Sequence, residues 1–552
     1  MQLAGHAPRL GWPGAGDAVA IWGDSRHARR GKAAAARSGA ALIRVEDAFL
    51  RSILPGRASG PVARRGPVGL IIDPHGLHFD PAGPSLIETL IANGRAASHA
   101  DQAAQAIRRL IAADLSKYNA HLTDIAPPAG GYVLVIDQTR GDASLLGAGR
   151  AEFLAMLQAA RDENPGARIV IRSHPETAQG LRPGHFRPED LRPGDHFHDA
   201  AISPWRLLHG AARVYVHSSQ LGYEAILAGH RPRVFGQPFY AGWGLSDDQS
   251  PLPRRQPATI ETLFAASHLL APTWYDPCHD RLTDFDGALH QIEAEAKAWR
   301  QDHAGHLAYG MRLWKRGALA RAFGNGAGVR FTATASDKVT LAWANRADQV
   351  PQAARVEDGF IRSRGLGAEL VAPLSLVADD LGIYYDPTRE SRLEHLVAAP
   401  PPPGAEARAQ RLIARLHAAG ITKYNLPGGL PDLPAGHRIL VPGQVQDDAS
   451  IRLGAGAERT DLDLLRRVRA ENPDAVVIYK PHPDVEAGLR PGAIAPGDLA
   501  QFADIVTRNA PAAALLDQVH EVWTITSTLG FEAILRGIPV TTWARHSMPV
   551  GG

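Results

Sequence analysis

Short apolar runs alternate along the chain with longer segments of helical periodicity. The runs VLVI at 133–136, RIVIR at 168–172 and VVIYK at 476–480 are almost continuously apolar, which is typical of parallel strands buried on both faces. The segments at 151–166 and 462–474 are rich in Ala, Leu and Arg, and each reaches an Asn-Pro before the next strand. Alternating strands and helices predict doubly wound α/β sheets.

The same plan occurs twice in the chain, because RVEDAFLRS at 44–52 recurs as RVEDGFIRS at 355–363. SKYN, VLVIDQTRGDAS and ENPGARIVIRSHPE follow in the first copy, and TKYN, ILVPGQVQDDAS and ENPDAVVIYKPHPD follow in the second. Preserved order at a nearly constant offset predicts a duplication. We predict a first module at 1–250 with lobes at about 18–125 and 130–250, a helical connector at 251–330, and a second module at 331–552.

Composition narrows the class of protein. The 552 residues carry 59 Lys and Arg against 57 Asp and Glu, a net charge of +2, so the overall basic excess of dedicated nucleic-acid binders is missing. One cysteine, Cys278, excludes an internal disulfide and a multi-cysteine metal site. No apolar run is long enough for a membrane-spanning helix. We expect a cytoplasmic protein with peripheral membrane contact at most and no nucleic-acid partner.

The predicted connector contains a basic segment with apolar neighbours. Its cations are Arg312, Lys315, Arg316 and Arg321, and its apolar residues are Leu313, Trp314, Leu319 and Phe323. This composition fits docking on an anionic lipid surface, and it fits equally the solvated face of a packing helix.

An acidic pair follows a predicted strand in each copy. The pairs are Glu46 with Asp47 and Glu357 with Asp358. A carboxylate at a strand end can take a proton from a hydroxyl group, although a single such pair is more often a turn or capping residue. Its recurrence with the neighbouring Arg and Phe favours catalysis.

A histidine follows another strand in each copy, with a cation two residues before it. These pairs are Arg172 with His174 and Lys480 with His482. The proline after each histidine ends the strand, and period-two alternation places cation and imidazole on one side. We predict a phosphate site there, although a lone His-Pro is more often an ordinary turn.

A helix start completes the predicted site. Ser218 and Ser219 precede LGYEAILAG, and Thr526 and Ser527 precede LGFEAILRG. Hydroxyl residues cap helices, and free N–H groups at a helix start attract anions. Further matched residues are Asp142 with Asp448, Gln138 with Gln444 and Lys117 with Lys423. This inventory suits transfer of a group from a phosphate leaving group. No acidic metal-binding pair recurs in both copies, so we predict no metal.

At these residues the sequence resembles the KpsC-type capsule polysaccharide proteins, which are dual-module bacterial β-Kdo glycosyltransferases. GQPFYAGWGLS at 236–246 is a specific part of that resemblance. The resemblance implies GT-B-like modules of two Rossmann-type lobes each, a CMP-Kdo donor and no cofactor. It further implies a poly-Kdo linker of alternating β-2,4 and β-2,7 linkages on a phosphatidylglycerol-type lipid. The implied place is the cytoplasmic face of the inner membrane, with other capsule assembly proteins as partners.

The elements are also similar to those of bacterial sialyltransferases, which use CMP-linked donors. That similarity implies that His174 and His482 contact the CMP phosphate, with Arg172, Lys480, Ser219 and Ser527 nearby. A β-linked donor giving a β-linked product implies retention, for which double displacement is one route. We predict Asp142 and Asp448 as nucleophiles, because Asp137 faces Gly443 in the other copy. Glu46 and Glu357, or Asp47 and Asp358, are then acid/base candidates.

The second copy departs from this pattern after Gly537, where it reads IPVTTWARHSMPVGG without a second FYAGWG. We expect a truncated second module that is weaker or inactive. Two other functions stay open. A GT-B-like nucleotide-sugar epimerase would share the lobes without needing two unlike sites, and a non-catalytic scaffold of an export complex would bind donor without turnover.

Overall fold

The chain is divided into two compact units, which we call the first and second modules. They are Met1–Gln301 and Asp302–Gly552. The computed structural model describes residues 1–25, 27–402 and 404–544. Each module contains two β-sheets with helices packed on them. The predicted α/β class, with two Rossmann-like lobes in each of two modules, is confirmed.

The first module is built on eleven described strands. They are β1 (Ala18–Trp22), β2 (Ala41–Asp47), β3 (Gly69–Asp73), β4 (Tyr132–Ile136), β5 (Ile169–Arg172), β6 (His196–His198), β7 (Ala211–Val216), β8 (Arg233–Val234), β9 (Asp247–Asp248), β10 (Pro272–Asp276) and β11 (Arg281–Thr283). Lobe A has the order β1-β2-β3-β10-β11, and lobe B has the order β6-β5-β4-β7-β8-β9. Lobe B is parallel throughout, whereas β3, β10 and β11 pair antiparallel in lobe A.

The helices of the first module connect these strands. They are α1 (Ala28–Ser38), α2 (Leu86–Ala92), α3 (Ala100–Ala112), α4 (Arg150–Asp162), α5 (Pro175–Ala178), α6 (Pro204–Gly210), α7 (Gln220–Leu227), α8 (Ile260–Phe264) and α9 (Phe285–Asp302), with a π-helical turn at Ala265–Leu270. Short 3-10 turns occur at Gln2–Ala4, Ala63–Arg65, Ala97–His99, Ala143–Leu145 and Pro188–Asp190.

The second module repeats the two-sheet plan. Its strands are β12 (His306–Tyr309), β13 (Val329–Thr332), β14 (Leu341–Trp343), β15 (Ala354–Asp358), β16 (Leu376–Asp379), β17 (Arg438–Pro442), β18 (Val476–Lys480), β19 (Ile505–Val506), β20 (Glu521–Thr524) and β21 (Val540–Thr542). Its helices are α10 (Leu313–Ala322), α11 (Arg392–Ala398), α12 (Ala405–Ala418), α13 (Ala449–Gly454), α14 (Asp461–Glu471), α15 (Pro483–Glu486), α16 (Pro496–Phe502), α17 (Ala512–Leu516) and α18 (Thr528–Ile534), with a 3-10 turn at Ala344–Gln349. Lobe C has the order β13-β12-β14-β15-β16, and lobe D has the parallel order β19-β18-β17-β20-β21.

The central strands show why the apolar runs were recognisable. Every residue of β4 is buried, because helices cover both faces of lobe B. Val133 and Val135 pack with Phe153 of α4 on one face, whereas Leu134 and Ile136 belong to the core on the other. Alternate side chains of a strand point to opposite faces, so both faces need apolar residues.

The structure corrects the predicted connector at 251–330. β10 pairs antiparallel with β3 of lobe A, and β12 and β13 belong to lobe C. The predicted connector does contain a long helix, α9, but short strands with little periodicity flank it. The boundary between modules therefore falls after Gln301, and the predicted lobe A at 18–125 also includes strands from beyond residue 250.

The structure likewise corrects the lipid-docking interpretation of the basic segment. Leu319 and Phe323 of α10 are buried in the core of lobe C, at 0% and 5% exposure. Lys315 interacts with Asp358, and Leu313 is left exposed. An apolar face that is buried in the core is not available to lipid, so α10 is a packing helix. Among the described residues, no helix is long and apolar enough to cross a membrane.

Candidate active site

The predicted acidic pairs lie at matching strand ends in the two modules. They are Glu46 with Asp47 at the end of β2 and Glu357 with Asp358 at the end of β15. The Nε of Arg362 donates a hydrogen bond to Asp358 Oδ2 at 2.7 Å, and the Arg362 side chain is 2% exposed. Arg51 forms the same ion pair with Asp47. Each aspartate is thus paired with a buried guanidinium, whereas neither glutamate forms an ion pair among the described residues.

The two glutamates have carboxyl groups that titrate near neutrality. Burial raises the pKa of Glu46 to about 7, with Lys117 opposing and Asp47 adding to the shift. Burial raises the pKa of Glu357 to about 7 as well. A β-carbon at Gly23, which has a φ of +50°, would collide with the Glu46 carboxylate, so only glycine fits there. A carboxyl group with this pKa can both donate and accept a proton near pH 7.

A lysine lies among the carboxylates of each site. Burial by itself lowers the pKa of Lys117, but the ionisable groups around the lysine raise it further, so the net shift is upward. These groups are Tyr118, Asp142, Asp47 and Glu46. The same holds for Lys423 with Tyr424, Asp448, Asp358 and Glu357. The predicted nucleophile, the acidic pair and the predicted binding lysine are therefore within electrostatic range of one another in both modules. A permanent cation at this point can stabilise negative charge on a substrate.

The loop that carries each lysine is held by residues that the sequence interpretation missed. Asn119 accepts a hydrogen bond from the Ser116 N–H at 2.9 Å and donates to the Ser52 carbonyl at 3.0 Å. Glu224 of α7 accepts from the Ser116 hydroxyl at 2.8 Å, and Glu532 of α18 accepts from the Lys423 N–H at 2.7 Å. The signal was present, because Asn and Glu recur in the repeated motifs KYN and LGYEAIL/LGFEAIL.

The predicted nucleophiles begin short helical turns. Asp142 Oδ1 accepts hydrogen bonds from the Ser144 N–H at 3.0 Å and from its hydroxyl at 2.7 Å. Asp448 Oδ1 accepts equivalent bonds from Ser450 at 3.0 and 3.2 Å. These bonds fix the orientation of each carboxylate through one oxygen. Among the described residues, the other oxygen of each makes no hydrogen bond and can face a substrate.

The two predicted histidines are neutral and oriented. Burial, reinforced by Lys117, lowers the pKa of His174 to about 4. Its Nδ1 accepts a hydrogen bond from the Glu176 N–H at 3.1 Å, so the ring proton is assigned to Nε2. His482 has the same arrangement with the Asp484 N–H at 3.1 Å. Each imidazole can therefore donate a hydrogen bond to an anionic oxygen without carrying charge.

The two predicted cations beside these histidines differ in placement. Arg172 ends β5, opposite His198 of β6, and its Nη1 donates to the carbonyls of His198 at 3.3 Å and Ala200 at 2.5 Å. Its guanidinium therefore braces a backbone loop beside His174, and the predicted phosphate site at Arg172 stays a prediction. Lys480, in contrast, lines the cavity of the second module. The alternation of residues along a strand determines on which face of the sheet a side chain lies. It does not determine what the end of a long side chain contacts.

Gln138 and Gln444 join the strand end to the helix start. Gln138 Oε1 accepts from the Ser218 N–H at 2.9 Å, and Gln444 Oε1 accepts from the Thr526 N–H at 2.9 Å. Ser219 and Ser527 cap α7 and α18, accepting from Leu221 N–H and Leu529 N–H, both at 3.3 Å. These predicted binding residues thus hold the helix start in position, and any substrate contact is additional to that role.

A different carboxylate supports the strand end in each module. Asp137 accepts a hydrogen bond from the Gln138 N–H at 2.9 Å. In the second module, Asp461 of α14 accepts from the Gln444 N–H at 3.0 Å and from the Tyr479 hydroxyl at 2.9 Å. The support is therefore kept although its position in the sequence has changed.

We expect Asp461→Asn to change the pH dependence of stability. Burial raises the pKa of Asp461 to about 7, so the folded state binds a proton between about pH 4 and 7 that the unfolded state does not. The free energy of unfolding of the native chain should therefore fall as the pH rises from about 4 to 7. In Asp461→Asn, which has no carboxyl group to titrate at this position, this part of the fall should be missing. Urea denaturation at pH 5 and pH 8 measures it. If the native chain and Asp461→Asn lost the same amount of stability between pH 5 and pH 8, the assignment would be contradicted. Asp461→Ala, which loses the hydrogen bonds as well, should lower the free energy of unfolding by roughly 1–3 kcal/mol.

An open cavity of about 1020 Å³ lies in the second module, and Glu357, Lys423, Asp448 and His482 are among its lining residues. In the first module, the segment at 236–246 packs beside the site, and Phe239 stacks on Phe49 at 4.2 Å. The weaker second module stays a prediction, because residues 545–552 of its last stretch lie outside the part of the chain that the structure describes.

Comparison with known families identifies the family of the chain. The sequence profile described as capsule polysaccharide biosynthesis protein matches residues 17–126, 94–272, 327–425 and 434–550. The chain belongs to this family. The capsule polysaccharide modification protein LipA of Neisseria meningitidis serogroup A is 36% identical over 571 residues, covering 96% of this chain and 80% of LipA. The lipopolysaccharide-processing protein LpsZ of Rhizobium meliloti is 46% identical over 196 residues, covering 34% of this chain and 44% of LpsZ.

Two solved structures are also similar to this family member. KpsC of Thermosulfurimonas dismutans, described as a beta Kdo 2,4 transferase, is 33% identical, with a TM-score of 0.46 over 50% of this chain and 86% of that one. The KpsC structure described as a beta Kdo 2,7 transferase is 32% identical, with a TM-score of 0.36 over 44% and 80%.

Proposed function

We propose that this chain is a retaining β-Kdo glycosyltransferase that uses CMP-Kdo. The proposed product is a poly-Kdo linker with alternating β-2,4 and β-2,7 linkages on a phosphatidylglycerol-type lipid, made at the cytoplasmic face of the inner membrane for capsular polysaccharide. The observation that carries the proposal is the recurrence of one constellation in both modules: a glutamate with a pKa near 7, a lysine, a capped aspartate and a neutral histidine. The identities of donor and acceptor come from the KpsC-type sequence resemblance.

In the proposed first step, the Asp142 carboxylate attacks the anomeric carbon of Kdo. The bond between that carbon and the CMP phosphate oxygen breaks, and its electron pair leaves on the phosphate. The Nε2–H of His174 and the ammonium group of Lys117 stabilise that negative charge. The product is an ester between Kdo and Asp142. Because the chain supplies its own cation and hydrogen-bond donor here, the proposed step needs no metal ion.

In the proposed second step, Glu46 takes the proton from an acceptor hydroxyl group. The acceptor oxygen attacks the anomeric carbon, the bond to Asp142 breaks, and the carboxylate is restored. Two inversions give overall retention. We assign the base to Glu46 because Asp47 is engaged by Arg51. Glu357, Asp448, Lys423 and His482 would perform the same steps in the second module.

The proposal is tested by incubating the full chain with CMP-Kdo and a Kdo-primed lipid-like acceptor. We expect CMP release coupled to Kdo transfer, and linkage analysis of the product identifies the active modules. Isomerised nucleotide sugar without CMP release would indicate an epimerase instead. Donor binding without turnover would indicate a scaffold. Comparable rates for both linkages would contradict the expected weakness of the second module.

A further inference from the structure

Lobe C carries a cationic and aromatic cluster that the proposed mechanism does not use. It consists of Lys315 and Trp314 at the start of α10 and Trp343 at the end of β14, and all three line the cavity of the second module. The cavity also contains Glu357 and Asp358. We call Lys315, Trp314 and Trp343 the lobe C cluster.

The geometry of the cluster combines charge, aromatic surface and an unused donor. The Nζ of Lys315 lies 3.3 Å from the ring centroid of Trp343 and 5.1 Å from that of Trp314. It is also 3.5 Å from Asp358 Oδ1. Trp314 Nε1 is buried and has no hydrogen-bond partner among the described residues. A buried indole N–H normally finds an acceptor, and none of the described residues supplies one here.

The first module has no such cluster among its described residues. Trp22 is the residue that matches Trp343. Trp22 pairs with Val45 between β1 and β2, and Trp343 pairs with Val356 at the same point between β14 and β15. Trp22 is 50% exposed. β1 is an edge strand of lobe A, whereas β12 flanks β14 in lobe C and leads into α10. Among the described residues, the cluster is therefore found in the second module.

A sugar acid fits this chemistry. Its carboxylate can pair with the Lys315 ammonium, and its ring can lie against the parts of the two indoles that line the cavity. His482, which we assign to the donor phosphate, follows β18 of lobe D. The cluster instead lies beside the acidic pair, where the acceptor hydroxyl must lose its proton.

We propose that the lobe C cluster is an acceptor subsite of the second module that binds the carboxylate of the terminal sugar acid. This inference deepens the proposed function and rests on it for the identity of the acceptor. It makes the second module selective for a chain that already ends in a charged sugar, since a neutral terminus has no carboxylate to pair with the Lys315 ammonium.

The test uses the full chain with Asp142→Asn, so that transfer comes from the second module. Lys315→Met removes the ammonium group and keeps a side chain of similar length. We expect the KM for a Kdo-terminated oligosaccharide to rise roughly 10- to 100-fold in Lys315→Met, much more than the KM for CMP-Kdo. Arg321→Met, on the exposed part of the same helix, is the matched control and should leave both constants unchanged.

A second acceptor, with the terminal carboxylate converted to its methyl ester, identifies the recognised group. The chain with intact Lys315 should bind the ester as weakly as Lys315→Met binds the acid, and Lys315→Met should not distinguish the two. A rise in the KM for CMP-Kdo alone, or a preference for the acid that persists in Lys315→Met, would overturn the inference.

Direct binding of the two oligosaccharides, measured by calorimetry without CMP-Kdo, separates this inference from the proposed function. Acid-selective binding that depends on Lys315, in a chain that transfers no Kdo, would support the subsite and reject the transferase. Transfer by the chain with intact Lys315, with equal binding of acid and ester, would support the transferase and reject the subsite. Circular dichroism of each variant checks that it is folded.

Discussion

Asp142→Asn should abolish the linkage made by the first module and leave the second module able to extend a preformed acceptor. The amide keeps an oxygen for the Ser144 N–H, so the cap of the turn at Ala143–Leu145 persists. It has no negative charge with which to attack the anomeric carbon. We expect the rate of the first linkage to fall by roughly 10³-fold or more. Linkage analysis of products from a first-module acceptor measures this loss.

The matched variant Asp448→Asn should remove the second linkage and spare the first. Asp142→Ala separates the role of the charge from that of the cap. It loses both, so it should lose the first linkage as Asp142→Asn does and also lower the free energy of unfolding by about 1 kcal/mol. If folded Asp142→Asn retained a tenth or more of the original rate of the first linkage, Asp142 would not be the nucleophile.

The sequence predicted the architecture well wherever a signal was repeated or periodic. The duplicated motifs identified two modules, and the apolar runs identified β4, β5 and β18 as buried strands. The connector was misjudged because β10 is a short strand that pairs with β3, about 200 residues earlier in the sequence, and β11 then pairs with β10. Long-range pairing of this kind depends on tertiary contacts that local patterns do not contain.

The sequence predicted which types of residue lie at the strand ends of the candidate site. It did not predict their hydrogen-bond and ion-pair partners. Arg172 and Lys480 occupy matching positions, yet the Arg172 guanidinium binds two backbone carbonyls and Lys480 lines a cavity. The role of Asp461 was also hidden, because it replaces Asp137 from another position in the chain. Which atoms a long or buried side chain contacts is decided by packing around it.

Glu46→Gln should trap the Kdo–Asp142 ester in the first module. Asp142 can still displace CMP, but the amide cannot take the proton from the acceptor hydroxyl, so the second step should slow by roughly 10²- to 10⁴-fold. Intact-mass spectrometry after mixing with CMP-Kdo should show the protein with one added Kdo residue, and peptide mapping should place it on Asp142. The double variant Glu46→Gln, Asp142→Asn should carry no adduct at the first site.

The pH profile gives an independent test of the same residue. A base must be deprotonated to act, and burial raises the pKa of Glu46 to about 7, so kcat/KM of the first module should rise as the pH passes through about 7. Glu46→Gln should lose this limb. Asp47→Asn should keep it at a somewhat lower pH, because the Asp47 charge contributes to the raised pKa of Glu46. A limb that persists in Glu46→Gln and disappears in Asp47→Asn would move the base to Asp47, and the raised pKa of Glu46 would then reflect its burial alone.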